Sequence, residues 1–161
     1  MPDFNEIMGK TVEETQRPPL PPIGTYEMFV NKIPESRDIV SPKGSWNAIE
    51  FTFTATRALD DVDQDELREY GAPKQIMGLR RSFMFPKGNT PEDKTAFAQT
   101  EANLKDFLTK HLGIDPKLSY KEAFTVAVNK KCLGSISHRQ DPNNPENFYP
   151  DLKRTAPITA D

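Results

Sequence analysis

The chain has one cysteine, Cys132, among 161 residues. A single thiol excludes an intramolecular disulfide framework and any four-cysteine zinc site. Histidine is almost as scarce, with only His111 and His138, so a metalloenzyme is not expected. No window approaches the roughly 18 apolar residues of a membrane span. No N-terminal stretch pairs a basic start with an apolar run, so no signal peptide is expected. The patterns GxxxxGKS, GxGxxG, HExxH and GxSxG are all absent. Cys132 with His111 or His138 has the composition of a nucleophile and base. No further motif supports that pairing, and a lone cysteine in an apolar strand usually packs in the core. His111 lies on a helix stripe, where packing or a dipole contact is the commoner role. These absences point to a cytoplasmic, non-catalytic domain without cofactor or metal.

What is present is polar but can form a core. Charged residues make up 28% and hydrophobic residues 35%, with ten Phe, four Tyr and one Trp. Fifteen prolines are near twice the usual share of roughly 5%. Several of them stand in Arg17-Pro18-Pro19-Leu20-Pro21-Pro22. Proline fixes φ and bars its predecessor from the helical region, so this run is extended. Residues 1–23 therefore read as a flexible, proline-rich arm before a domain spanning 24–158, with a short tail at 159–161. The prolines serve either as a stiff spacer or as a site for a partner.

Alternation of apolar and polar residues predicts strands over Gly24–Ile33, Trp46–Leu59 and Met77–Phe85. In the second, Ile49, Phe51, Phe53 and Ala55 share one face and Glu50, Thr52, Thr54 and Thr56 the other. Pro34 and the polar run Glu35–Asp38 are expected to end the first strand. Thr90-Pro91-Glu92-Asp93 predicts a helix start: a hydroxyl cap, proline at the first position, then carboxylates at the positive end of the dipole. That helix runs to about Leu112, with Gly113 as its C-cap. Ser119 to Glu122 has capping-box spacing for a second, short helix. A strand from Cys132 to Arg139 and an extended piece from Phe148 to Ile158 follow. The order fits a mainly β, α+β fold, with an OB-like five-stranded antiparallel barrel and one helix between strands three and four. A generic α+β sandwich has the same order.

Charge is unevenly placed. The net charge is only −3, but residues 71–90 carry four basic and no acidic groups, and 117–140 carry five basic and one acidic. Arg80-Arg81 stands beside Phe83 and Phe85, and Lys130-Lys131 and Arg139 bracket a strand. Cations for phosphates beside aromatic faces for bases are what single-strand binding uses. The candidate nucleic-acid residues are Trp46, Lys43, Arg80, Arg81, Phe83, Lys130, Lys131, Arg139 and Tyr149. Adjacent strand residues point to opposite sides, so only one of Arg80 and Arg81 can face a groove. Arg80 is that residue if the Leu79–Phe83 side is core, and Arg81 is if the ring of Phe83 is exposed for stacking.

Residues 59–70 carry six acidic groups and one basic. Asp61, Asp63 and Asp65 have the spacing of a calcium loop. Glu66 stands where glycine is required and Ala72 where a bidentate Glu belongs, which excludes an EF-hand. A metal-free, mobile, exposed loop is expected, with at most one helical turn around Glu66-Leu67.

Several short motifs carry a resemblance. Pro22-Ile23-Gly24-Thr25-Tyr26-Glu27 opens the first strand, and a Lys43-Gly44 turn leads into the second. After the helix come Leu133-Gly134, Phe148-Tyr149-Pro150-Asp151-Leu152-Lys153 and Thr155-Ala156-Pro157. Over about residues 20–158 this resembles small bacteriophage single-stranded DNA-binding-like, OB-folded proteins of replication and recombination gene clusters. The resemblance implies single-stranded DNA as ligand and phage or host replication and recombination proteins as partners. The end of the chain, Ala156-Pro157-Ile158-Thr159-Ala160-Asp161, lacks the acidic, Phe-terminated tail of bacterial single-stranded DNA-binding proteins. A homodimer or larger assembly is expected, because one barrel covers few nucleotides. The other reading is a non-catalytic protein-interaction or virion-associated β-domain.

Overall fold

The longest strand organises the molecule. In a computed structural model, which describes residues 4–14, 19–71 and 75–158, strand β3 runs from Gly44 to Ala58. Along one of its edges lie β2, Glu35–Ser41, and then β1, Gly24–Val30, both antiparallel to it. Along the other edge lies β4, Ile76–Pro86. β1 pairs onward with β5, Lys131–Asp141, and β5 with β6, Asn144–Ala156. The result is one six-stranded antiparallel sheet with β2 at an edge. β4 and β6 turn towards each other, and Arg81 of β4 donates a hydrogen bond to Thr155 Oγ1 of β6. Among the described residues no ladder joins them, so the sheet is not closed.

Two expectations are corrected here. Among the described residues the strands number six, not five, and their ladders do not close into a barrel. The added strand is β2, over residues read as the end of the first strand. Its side chains are mostly exposed on both faces, so it lacks the alternation by which a half-buried strand is recognised. The mainly β, α+β class is as expected.

The β3 faces follow the pleat. Phe51, Phe53 and Ala55 are buried in the core and Ile49 packs against it, while Glu50 and Thr52 face the other way. β4 alternates likewise, with Leu79, Phe83 and Phe85 buried. Among the described residues there are four α-helices: α1 Phe4–Met8, α2 Gln64–Tyr70, α3 Pro91–Asp106 and α4 Tyr120–Val126. α3 begins as its sequence dictates. Thr90 Oγ1 accepts from Asp93 N–H at 3.1 Å, and the Asp93 carboxylate accepts from Thr90 N–H at 3.3 Å. Ser119 and Glu122 form the same reciprocal cap on α4. α3 ends in a π turn, Phe107–His111, closed by Leu112 N–H donating to the Phe107 carbonyl at 3.0 Å.

That turn pushes Phe107 into the centre of the core. Its ring lies 4.9 Å from Phe51, 6.0 Å from Phe53 and 5.5 Å from Phe83, centroid to centroid. Leu104 and Leu108 are buried beside it. Cys132 is fully buried on β5, and burial pushes its thiol pKa up to about 12. A thiol so placed is packing rather than chemistry.

The acidic segment is tied to the body of the fold, and its aspartates Asp60, Asp61, Asp63 and Asp65 are exposed as expected. The Asp61 carboxylate accepts from Thr25 N–H at 3.0 Å and from Thr25 Oγ1 at 2.7 Å. These bonds hold its pKa below the ordinary carboxylate value. Asp63 caps α2, accepting from the amides of Asp65 and Glu66. Val62 between them is buried against Gly24, whose φ of +148° favours glycine. Pro21 and Pro22 of the arm are buried as well. The Pro21 carbonyl lies 2.7 Å from His138 Nε2, and the Pro22 carbonyl accepts from the Tyr26 hydroxyl at 2.7 Å. The carbonyl can only accept, so Nε2 carries the proton. Arg17, Pro18 and the tail 159–161 lie outside the described residues.

Candidate nucleic-acid interface

The outer surface of β3 and β4 brings part of the expected set together. Trp46 stands near the start of β3, opposite Ile39 of β2 and Pro86 of β4. Its half-buried ring lies back over the turn at Gly44, where an added Cβ would touch it at 3.4 Å. Lys43 is exposed in that turn. Further along the same face, Arg80 stands opposite Thr52. By strand rise, Trp46 and Thr52 are about 20 Å apart.

A carboxylate sits between these points. Glu50, with its side chain only 14% exposed, lies 3.2 Å from Arg37 and 3.6 Å from Arg80. It also accepts from the Ser82 hydroxyl at 3.2 Å. Across the sheet, Glu27 holds Arg57 at 2.8 Å and Lys131 at 3.7 Å. The bond from Arg57 is the chief reason its pKa is lowered. Four cations are thus shared between two carboxylates, leaving this face net positive. Arg37, Arg57, Glu27 and Glu50 were not among the expected residues. Arg37 was legible only if β2 had been read as a strand, and the pairings join residues far apart in sequence.

The remaining expected residues are elsewhere. Lys130 is exposed in the turn before β5, next to Lys131. Arg139 stands opposite Tyr149 at the far end of the β5–β6 hairpin, and the Tyr149 hydroxyl donates to Asp141 at 3.1 Å. Tyr149 and Phe148 border a separate groove of about 420 Å³ with Leu20, Tyr70 and Met77.

Arg81 and Phe83 face inwards. Phe83 is 4% exposed and has no face free for a base. Arg81 lies between rings, with Cζ 4.8 Å from the centroid of Phe83 and 4.9 Å from that of Phe107. Among the described residues no carboxylate pairs with it. Its charge is stabilised instead by the ring quadrupoles and by the bond to Thr155. Arg80 is therefore the arginine on the open side.

Thr155 links Arg81 to His111, whose Nδ1 lies 2.8 Å from Thr155 Oγ1. The hydroxyl accepts from Arg81 and donates to Nδ1, which fits a neutral imidazole protonated at Nε2. Burial first, and the Arg81 charge second, lower the His111 pKa from the ordinary 6.5. A lowered folded-state pKa means that the unfolded chain binds the proton first as pH falls. Stability contributed by neutral His111 is complete above about 6.5 and is lost as pH falls through the lowered value. The urea midpoint should drop more between neutral and mildly acid pH in the parent than in His111→Gln. Equal drops would show that His111 titrates as it does in the unfolded chain.

No cluster of three or more His, Cys, Asp or Glu side chains that could hold a metal ion occurs among the described residues. None of the described helices is long and apolar enough to cross a membrane. No family model matches the chain, and no curated protein matches it in sequence.

Proposed function

We propose that the chain binds single-stranded DNA without catalysis, in the manner of the phage replication and recombination proteins it resembles. The observation that carries this reading is the sharing of one uncovered strand face by Trp46 and the Arg37–Glu50–Arg80 group. The strand order supports it. β1 and β2 together flank β3 as a bent first strand, β4 follows, α3 intervenes, and β5–β6 return beside β1. That is the order of a partly open OB barrel, in which the β3–β4 face is the usual binding surface. The base of a single strand stacks on Trp46, and Arg37, Arg80 and Lys43 neutralise phosphates. The protein acts in the host-cell cytoplasm, as a homodimer or larger, since one such face covers few nucleotides.

Oligo-dT affinity measured across a salt series tests this. Trp46→Ala should weaken binding by roughly 1–3 kcal/mol with little change of salt slope. Arg80→Ala should lower the magnitude of the slope by about 0.7. If the parent does not bind at low salt, the reading is wrong. The alternative, a protein-interaction or virion-associated β-domain, draws on the exposed apolar side chains of Met77, Phe148 and Tyr149 beside the proline arm.

A further inference from the structure

An exposed ring meets an unpaired cation at a second place. Behind the β2–β3 hairpin, on the face opposite Trp46, runs a groove of about 720 Å³ bordered by Ser36, Asp38, Asn47, Ile49, Phe85 and Phe97. It continues into a further space of about 420 Å³ along Pro86 to Asn89 and Lys94. Asn47 and Phe97 line both. Phe97, on α3, is 44% exposed. Its ring meets Phe85 at 4.9 Å and 61°.

The charges in this groove are already sorted: Arg37, also at its border, is paired with Glu50 at 3.2 Å. Asp38 is held by Lys87 at 3.1 Å, and Asp93 is committed to the cap of α3. The helix terminus therefore has its own anion and offers no site. Lys94 has no ion pair among the described residues, and the exposed Asn47 amide has no hydrogen bond there. An aromatic ring, a free amide and a free cation in a groove of ligand size match a nucleotide better than an apolar peptide.

We infer that this groove is a second base-binding subsite for the same single strand. One base stacks on Phe97, its edge is hydrogen-bonded by Asn47, and its phosphate is met by Lys94. The route is short. Trp46 stands opposite Pro86, and Lys87 N–H donates to the Ser45 carbonyl at 3.1 Å. A strand leaving Trp46 rounds the end of β4 at Pro86–Lys87 and enters the groove. The inference rests on strand binding at Trp46.

The test uses the full chain with a tetranucleotide and a dodecanucleotide of thymidine. Trp46 is the single tryptophan, so quenching of its fluorescence reports the outer face alone. The parent should bind the longer strand more tightly. Phe97→Ala should remove roughly tenfold of that gain and leave tetranucleotide affinity and Trp46 quenching unchanged. Lys94→Ala should lower the salt slope by about 0.7 for the longer strand only. Asn47→Ala gives an independent reading should Phe97→Ala fold poorly. Variants that bind both lengths like the parent overturn the subsite while leaving Trp46 binding intact. Equal losses at both lengths also overturn it. No quenching in the parent overturns strand binding at Trp46, and the subsite with it.

Discussion

Phe107→Ala should lower the free energy of unfolding by about 3–5 kcal/mol, the usual cost of truncating a buried aromatic. Phe107 is fully buried and stands against the rings of Phe51, Phe53 and Phe83. Those rings belong to β3 and β4, so the sheet cannot collapse into the vacated space without breaking its own ladder. The Arg81 guanidinium also loses one of its two flanking rings. Urea denaturation measures the effect. A loss below about 1 kcal/mol would mean that the π turn relaxes to refill the site. Phe97→Ala, on the exposed part of the same helix, should cost far less, within about 1 kcal/mol.

The neighbouring arginines should behave in opposite ways. Arg81→Ala removes a side chain packed between two rings and leaves the Thr155 hydroxyl, which itself donates to His111, without its donor. The expected cost is about 2–4 kcal/mol of stability, with the salt slope of oligonucleotide binding unchanged. Arg81→Met fills the same space without a charge to desolvate and should recover most of that loss. Arg80→Ala removes an exposed guanidinium from Glu50, which keeps Arg37 and Ser82, and should change stability by less than about 1 kcal/mol. Its effect falls on the salt slope. Denaturation and salt-dependent binding of the three variants check this together. A slope lowered by Arg81→Ala and untouched by Arg80→Ala would reverse the assignment of faces.

The legible parts of this fold are those in which local chemistry decides the structure. The cap of α3 needs only Thr90, Pro91 and Asp93, and it forms as they dictate. The faces of β3 and β4 follow from alternation, which also settles Arg81 once Leu79 and Phe83 are taken as core. β2 escaped because an edge strand exposed on both faces has no reason to alternate. The acidic segment is exposed as its charge suggests, but its tether was hidden because Asp61 is held by Thr25, 36 residues away in sequence. The site shows the same division. Trp46 and Arg80 were visible as residue types on neighbouring strands. Glu50, which organises Arg37 and Arg80 around itself, was hidden because its partners come from the two strands on either side of its own.

The pairing of β1 with β5 has a consequence for synthesis. Gly24 lies opposite Ile136, 112 residues later in the chain. At roughly 5–20 residues per second, β1 leaves the ribosome about 5–20 s before its partner is made. Throughout that interval one edge of β1 is bare, and Tyr26, Met28 and Val30 are without part of the core they later enter. Vectorial folding of this chain is therefore gated by its C-terminal third, and a nascent chain stalled before β5 is a sticky, unfinished sheet.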